Sequence, residues 1–121
     1  MTNPEKSFGR HLLVDFLDCD PETIKFVDPT RAILLRAAKE CKATIVDDLF
    51  HQYEPFGVSG VVLIAESHLS VHTWPEDGFA GLDIFTCGAD MEPEVAIEIM
   101  KRDFSAREAV VKMLVRGQLA P

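Results

Sequence analysis

The sequence is poor in cysteine and in long apolar stretches, and both absences exclude classes of protein. The three cysteines, Cys19, Cys41 and Cys87, share no Cys-x-x-Cys spacing, so they indicate neither a disulfide framework nor a zinc ribbon. The longest apolar run, residues 61–65, is far shorter than the roughly 20 residues that a membrane helix needs. The polar residues 1–6 do not resemble a signal peptide. We therefore expect a reduced, cytoplasmic protein that does not enter a membrane.

Positive charge is also scarce. The chain has 12 Lys and Arg against 20 Asp and Glu, a formal net charge of −8. Proteins that bind nucleic acid or anionic membranes carry a surplus of Lys and Arg on one face, so we expect neither partner. A cationic small molecule is the more compatible ligand. The length of 121 residues, 47% of them hydrophobic, predicts a single domain over 1–121.

Short apolar segments separated by turn residues predict the secondary structure. One helix is expected from Asp28, as N-cap before Pro29, to near Cys41, and a second from about Glu92 to Phe104. Strands are expected at 9–19, 43–53, 58–65, 69–74, 81–86 and 109–115. Short connections between the middle strands favour antiparallel pairing. The order β-α-β-β-β-β-α-β therefore predicts a two-layer α+β sandwich with both helices on one face of the sheet. The other face needs a cover, which a second copy could provide.

The segment 57–88 concentrates the polar groups that could react. They are Ser59, Glu66, Ser67, His68, His72, Glu76 and Cys87. These residues lie within or beside strongly apolar strands. Either they form a site, or they are the ordinary surface residues of a hairpin.

Spacing argues against two familiar kinds of site. On a strand, which the β-branched and aromatic neighbours favour, His68 and His72 are about 13 Å apart, too far to bind one zinc ion. No Gly-x-Ser-x-Gly turn surrounds Ser67. On a regular strand Ser67 and His72 also point to opposite faces, about 16 Å apart. We therefore expect no metal site and no Ser-His-acid triad within one chain.

Four runs of residues carry a resemblance to a known family. They are Gly-Arg-His-Leu at 9–12, Phe-Gly-Val-Ser-Gly-Val-Val at 56–62, Glu-Ser-His-Leu-Ser-Val-His-Thr-Trp-Pro-Glu at 66–76 and Asp-Ile-Phe-Thr-Cys-Gly at 83–88. In order and spacing they closely resemble the small prokaryotic S-adenosylmethionine decarboxylases, which are pyruvoyl enzymes. The resemblance extends from about residue 6 to residue 116.

This resemblance implies a proenzyme that cuts itself between Glu66 and Ser67 into a β chain, 1–66, and an α chain, 67–121. In the family the serine oxygen attacks the preceding carbonyl, an ester forms, and β-elimination leaves a pyruvoyl group at the new N-terminus. The cofactor would thus derive from Ser67. No protein side chain is a good electron sink, whereas this ketone can form a Schiff base with the amino group of the substrate and accept the electrons that decarboxylation releases.

The resemblance also implies roles for residues around the cut. Cys87 would donate the proton that replaces carbon dioxide, Ser59 would steady the ester step, and His72 would be the base for elimination. The alternatives are a buried structural cysteine for Cys87 and a solvated strand histidine for His72. Cys19 and Cys41 match no motif and are interpreted as structural.

Three further positions match residues that bind the substrate in the family. Phe8 and Tyr53 would sandwich the adenine, and Glu76 would bind the ribose hydroxyls. Relatives most often have phenylalanine at the position of Tyr53, whose hydroxyl therefore needs a partner. Phe8 could instead be a core residue. Arg10 and His11 receive no role and are interpreted as strand-edge structure.

The implied function is pyruvoyl-dependent decarboxylation of S-adenosylmethionine, which supplies the aminopropyl donor for spermidine synthesis. The small family members are dimers with composite sites, so His72 of one copy would meet Ser67 of the other. Two alternatives remain open. The same chemistry could act on arginine or ornithine, since Tyr53 departs from the family pattern. The chain could also be a homologue that never cleaves itself and has no activity.

Overall fold

A computed structural model describes residues 8–87 and 90–117, so the polar segment 1–6 lies outside the described residues. The strands are β1 (Gly9–Leu17), β2 (Ile45–Gln52), β3 (Val58–Ile64), β4 (Ser67–Trp74), β5 (Phe79–Thr86) and β6 (Glu108–Arg116). The helices are α1 (Val27–Glu40) and α2 (Pro93–Asp103), and short 3₁₀ turns form at Pro21–Thr23 and Pro75–Asp77. The predicted order of helices and strands is confirmed.

All six strands form one antiparallel sheet in the order β2-β3-β4-β5-β1-β6. Alternate residues of each central strand are buried, as Leu12, Val14 and Phe16 are in β1, because successive side chains point to opposite faces. The same core contains residues of both helices. Ala37 of α1 and Ala96 of α2 are among these buried residues. The predicted two-layer arrangement, with both helices on one face, is therefore confirmed.

The start of α1 was predicted wrongly. The N-cap is Phe26 rather than Asp28, and Pro29 is the third helical residue rather than the first. The helix begins earlier because the side-chain oxygen of Gln52, on β2, accepts a hydrogen bond of 2.8 Å from the Val27 N–H. A distant side chain thus satisfies an amide that a local cap would otherwise serve. Asp28 remains in the first turn, where a negative charge favours the helix dipole.

The remaining boundaries differ from the predictions by one or two residues. β4 begins at Ser67 rather than residue 69, β5 begins at Phe79 rather than residue 81, and β2 begins at Ile45 rather than residue 43. The early start of β4 matters for function, because it makes Ser67 the first residue of a strand. Neither helix in the described part of the chain is long and apolar enough to cross a membrane.

The face of the sheet opposite the helices, here called the outer sheet face, carries exposed apolar side chains. Large exposed fractions there belong to Leu49 (73%), Leu63 (49%) and Trp74 (46%). Val61 and Leu13 lie on the same side by strand register. No helix of the described residues covers this face, so the polar residues on it are accessible to a ligand or a partner.

Candidate active site

The residues predicted to be functional separate into two groups at opposite ends of β4. Ser67 begins β4, and we call the group around it the serine end. His72 lies near the other end of β4, and we call its group the histidine end. The antiparallel neighbour β5 pairs Thr86 with Ser67 and Gly81 with His72, so each neighbouring strand contributes residues to both ends.

The serine end is built on the tight turn between β3 and β4. The Glu66 carboxylate accepts hydrogen bonds from the Thr44 backbone N–H at 3.0 Å and from the Thr44 hydroxyl at 3.2 Å. The backbone hydrogen bond from Thr44 is the main reason that the pKa of Glu66 is lowered. Ser67 follows with a φ of 147°, a conformation that L side chains rarely adopt and that stores strain. The Glu66–Ser67 bond therefore joins an anchored residue to one in a strained backbone conformation.

Cys87 lies directly against this bond. Its backbone N–H donates to the Glu66 carbonyl oxygen at 3.0 Å, and its thiol donates to the same oxygen at 3.0 Å. Cys87 is exposed, so its interpretation as a buried structural cysteine is wrong. Two donors directed at one carbonyl polarise it and would stabilise negative charge on its oxygen.

The other two cysteines fit the structural interpretation. Both are buried, and the thiols of Cys19 and Cys41 donate to carbonyl oxygens within their own segments at 3.6 Å and 3.3 Å. Burial raises the pKa of Cys19 to about 11 and also raises the pKa of Cys41. Neither thiol is suited to proton transfer at neutral pH.

Phe8 belongs to the serine end as well. Phe8 precedes β1, in which Arg10 pairs with Thr86. It therefore lies at the end of the sheet where β5 stops and Cys87 follows. The Phe8 side chain is 68% exposed. Its alternative interpretation as a core residue is therefore wrong.

The histidine end contains a short hydrogen-bonded chain. Ser59 Oγ and His72 Nδ1 are 2.8 Å apart, and the Tyr53 hydroxyl donates to Ser59 Oγ at 3.2 Å. The prediction that the extra hydroxyl of Tyr53 needs a partner is confirmed, and the partner is Ser59. If His72 donates its Nδ1–H to Ser59, the serine oxygen accepts twice, its own O–H stays free to donate, and Nε2 of His72 is left as a base.

These residues line an open cavity of about 370 Å³. Its lining includes Tyr53, Ser59, His72 and Glu76, which are the four residues that the sequence predicted here, together with Phe56 and Trp74. Sequence reasoning gave Trp74 no role, although it lies two positions after His72 on a strand and so shares its face. The aromatic walls and the exposed carboxylate can hold a flat ring and a pair of hydroxyls.

A third polar cluster lies on the outer sheet face and was not predicted. His11 Nε2 and His68 Nε2 lie 2.8 Å and 3.4 Å from Asp83 Oδ2. The three residues come from β1, β4 and β5, so no sequence spacing links them; only the strand order does. Their ligand atoms lie within 4.8 Å of one another, a spacing that could also suit a metal ion. His68 and His72 themselves fall in separate clusters.

The two residues interpreted as strand-edge structure have other positions. β1 lies between β5 and β6, so neither His11 nor Arg10 is on an edge strand, and that interpretation is wrong for both. Arg10 forms an exposed ion pair of 3.2 Å with Glu94 on α2. It links the sheet to the helix layer.

Comparison with known proteins decides the family. The family model "S-adenosylmethionine decarboxylase" matches residues 10–117. The chain belongs to the S-adenosylmethionine decarboxylase family. It is 47% identical to the S-adenosylmethionine decarboxylase proenzyme of Thermotoga petrophila over 113 residues, which cover 93% of this chain and 87% of that protein. It is 45% identical to the corresponding proenzyme of Thermodesulfovibrio yellowstonii, over 92% of this chain and 82% of that protein.

A solved structure supports the same assignment. The crystal structure of the adenosylmethionine decarboxylase from Aquifex aeolicus superposes with a TM-score of 0.87 at 33% identity and covers 95% of each chain. Members of this family use a pyruvoyl group. The residues present fit such a group, because a strained serine follows a carbonyl that two donors polarise.

Proposed function

We propose that this chain is a self-cleaving proenzyme that cuts the Glu66–Ser67 bond and then decarboxylates S-adenosylmethionine, supplying the aminopropyl donor for polyamine synthesis. The observation that carries the proposal is the geometry of this bond. Its carbonyl oxygen accepts from the Cys87 N–H and thiol at 3.0 Å each, and the adjacent serine has a φ of 147°. Cleavage at this position gives a β chain, 1–66, and an α chain, 67–121.

Self-cleavage requires a nucleophile, a stabilised oxyanion and a base. Ser67 Oγ attacks the Glu66 carbonyl carbon, and the two Cys87 donors stabilise the negative charge that develops on the oxygen. Strain at Ser67, of order 1–3 kcal/mol for such a conformation, is released when the peptide bond breaks. His72 then removes the Cα proton of residue 67 in the elimination step, while Ser59 orients His72 and steadies the ester.

His72 can reach Ser67 only if two chains combine. The two residues are five positions apart on one strand, about 16 Å at the usual rise per residue. Because the φ of Ser67 departs from the strand conformation, its side chain need not point to the face opposite His72. The separation of the two residues along β4 is unchanged. We infer a homodimer in which two outer sheet faces pack together. A two-fold axis near the middle of β4 would then set the serine end of one copy against the histidine end of the other.

The exposed apolar residues on the outer sheet face support this dimer. Leu49 and Leu63 are exposed and lie together with Val61 on this face, and contiguous apolar surface commonly marks an interface. Each composite site then contains Ser67, Cys87 and Phe8 from one copy. The partner copy contributes the cavity at the histidine end.

In the mature enzyme the pyruvoyl group supplies the ketone that draws electrons from the substrate during decarboxylation. Residues of this chain bind the substrate and supply the proton. Phe8 and Tyr53 stack on the two faces of the adenine, and Glu76 accepts hydrogen bonds from the ribose hydroxyls. The Cys87 thiol delivers a proton to the carbon that has lost carbon dioxide.

The lining of the cavity favours this substrate over arginine or ornithine. Tyr53, Trp74 and Phe56 form aromatic walls, which suit a planar purine; neither amino acid has a ring. Release of carbon dioxide from the three substrates, labelled in the carboxyl group, tests this choice. We expect release from S-adenosylmethionine. Release from arginine or ornithine alone would favour the second function, and release from none would favour an inactive homologue.

A further inference from the structure

Ser67 and His68 contact each other although neighbouring residues of a regular strand point to opposite faces. Ser67 Oγ lies 3.4 Å from His68 Nδ1. The φ of 147° at Ser67 takes this residue out of the regular strand conformation. A hydrogen bond of this length at a catalytic group is typical before the reacting geometry forms.

The hydrogen-bonding network behind His68 determines which of its nitrogens carries the proton. Arg116 can only donate, and its guanidinium lies 3.0 Å from His11 Nδ1. Nδ1 of His11 is therefore the acceptor, and His11 Nε2 carries the hydrogen that is donated to Asp83 Oδ2 at 2.8 Å. With this assignment, Oδ2 of the Asp83 carboxylate accepts a hydrogen bond from His11.

The same carboxylate also determines which nitrogen of His68 carries the hydrogen. Asp83 Oδ1 accepts from the Ser70 hydroxyl, and Oδ2 faces His68 Nε2 at 3.4 Å. An ionised carboxylate can only accept, so a neutral His68 holds its hydrogen on Nε2. Its Nδ1 then has a free lone pair, and the group facing that lone pair is the Ser67 hydroxyl.

The site is sheltered enough for these contacts to matter. The side chains of His11, Asp83 and His68 are 16%, 25% and 33% exposed. Phe85 packs against both histidine rings, with centroid distances of 5.3 Å and 6.0 Å. Partial burial strengthens the hydrogen bonds of the cluster relative to water.

We propose that His68 is the base that takes the hydroxyl proton of Ser67 in the first step of self-cleavage, with Asp83 and His11 as positioning residues. This inference rests on the proposed self-cleavage and adds to it. His72 would act only later, on the Cα proton. The chain would thus use two histidines in succession, one from its own strand and one from its partner.

The proposed step balances in protons and electrons. As Ser67 Oγ forms a bond to the Glu66 carbonyl carbon, its proton moves to His68 Nδ1. When the bond between that carbon and the Ser67 nitrogen breaks, the nitrogen takes the proton back from His68. The products are an ester at Ser67 and a free amino group, and His68 returns to its neutral form.

His68→Gln is the variant that separates this role from a structural one. The glutamine amide can still donate to Asp83 but has no lone pair at the position of Nδ1. We expect the rate of self-cleavage, followed on denaturing gels with freshly synthesised protein, to fall about 10²- to 10⁴-fold, the range for removal of a general base. The uncut chain should retain an amide at 66–67 and resist neutral hydroxylamine.

His72→Gln provides the contrast. It should stop after the first step, so its uncut chain should contain the ester and be split by hydroxylamine. Asp83→Asn should also slow the first step, because an amide can donate to His68 Nε2 and favour the unproductive tautomer. Free imidazole should restore cleavage to His68→Ala, an effect that a purely structural role would not produce.

Several results would overturn the assignment. They are cleavage of His68→Gln at the wild-type rate, an ester that accumulates in His68→Gln, and failure of imidazole to rescue a folded His68→Ala. Loss of wild-type cleavage in the presence of a chelator would show that the His11–Asp83–His68 cluster holds a metal instead. If the wild-type chain itself never cleaves, the proposed function fails first, and that outcome is distinct from the others.

Discussion

The thiol of Cys87 donates to the carbonyl oxygen of Glu66 at 3.0 Å, and the backbone N–H of the same residue donates to the same oxygen. One residue therefore supplies both donors to the carbonyl that the proposed cleavage attacks. In the mature enzyme the same thiol would serve as the proton donor. Processing and catalysis would thus share Cys87 but depend on different properties of it.

Substitutions of Cys87 should separate these two properties. Cys87→Ser keeps a donor at the side chain, so self-cleavage should remain within about threefold of wild type, whereas Cys87→Ala should slow it about 10²- to 10³-fold. Both variants lack the thiol and should lose about 10²- to 10⁴-fold in decarboxylation. Time courses on gels and carbon dioxide release measure the two effects. Full decarboxylation by cleaved Cys87→Ser would contradict the role in proton transfer.

Thiol labelling should select Cys87. Cys19 has a pKa of about 11, so only about 10⁻³ of it is thiolate at pH 8, and burial protects both Cys19 and Cys41. Iodoacetamide at pH 8 should therefore modify Cys87 first, as peptide mapping would show. The sign of the pH effect follows from the raised pKa: labelling of Cys19 should increase only as the pH rises toward 11. Equal labelling of all three thiols at pH 8 would contradict the structure.

Tyr53 should contribute through its ring and its hydroxyl separately. Tyr53→Phe keeps the stacking surface and removes only the 3.2 Å hydrogen bond to Ser59, so KM for S-adenosylmethionine should change less than about threefold and self-cleavage should slow severalfold. Tyr53→Ala also removes stacking, which is worth about 1–3 kcal/mol per base, so KM should rise about tenfold or more. Identical KM values for both variants would argue against stacking on Tyr53.

Much of the fold could be predicted from the sequence because its signals are local. Alternating burial in β1 and the apolar positions Ile33, Leu34, Ala37 and Ala38 in α1 follow directly from side-chain periodicity. The start of α1 could not be predicted, since Gln52 caps it from a strand 25 residues away. Rules that use only neighbouring residues take Asp28–Pro29 as the start of α1, and they place its first helical residue two positions too late.

The site was partly predictable for the same reason. Ser59, His72 and Glu76 lie in recognisable runs, and the structure brings them together with Tyr53 around one cavity. The His11–Asp83–His68 cluster depends on β1 being the neighbour of β5, which only the strand order reveals. The contact between Ser67 and His68 depends on one φ angle. The alternation of side chains on a regular strand excludes this contact, and no pattern of residues predicts the angle.

Mixed dimers test the composite site. Neither Ser67→Ala nor His72→Asn should produce a functional site alone. When the two variants are coexpressed, one site of each mixed dimer combines an intact Ser67 with an intact His72 from the other chain, so cleavage of the His72→Asn chain and decarboxylation should reappear.

The control is the double variant Ser67→Ala, His72→Asn coexpressed with Ser67→Ala, in which no chain has a serine to process. Absence of rescue in the first mixture, with mixed dimers confirmed by native mass spectrometry, would show that each site lies within one chain.

Denaturing mass spectrometry of the purified wild-type chain tests the central claim most directly. We expect two fragments, residues 1–66 and 67–121, with the second fragment lighter by one ammonia than a chain that begins with serine. Ser67→Ala should remain a single chain with about the full mass of the uncut wild-type chain, which is 13.5 kDa. A wild-type chain that stays intact after prolonged incubation, or that is cut at any other bond, would contradict the account.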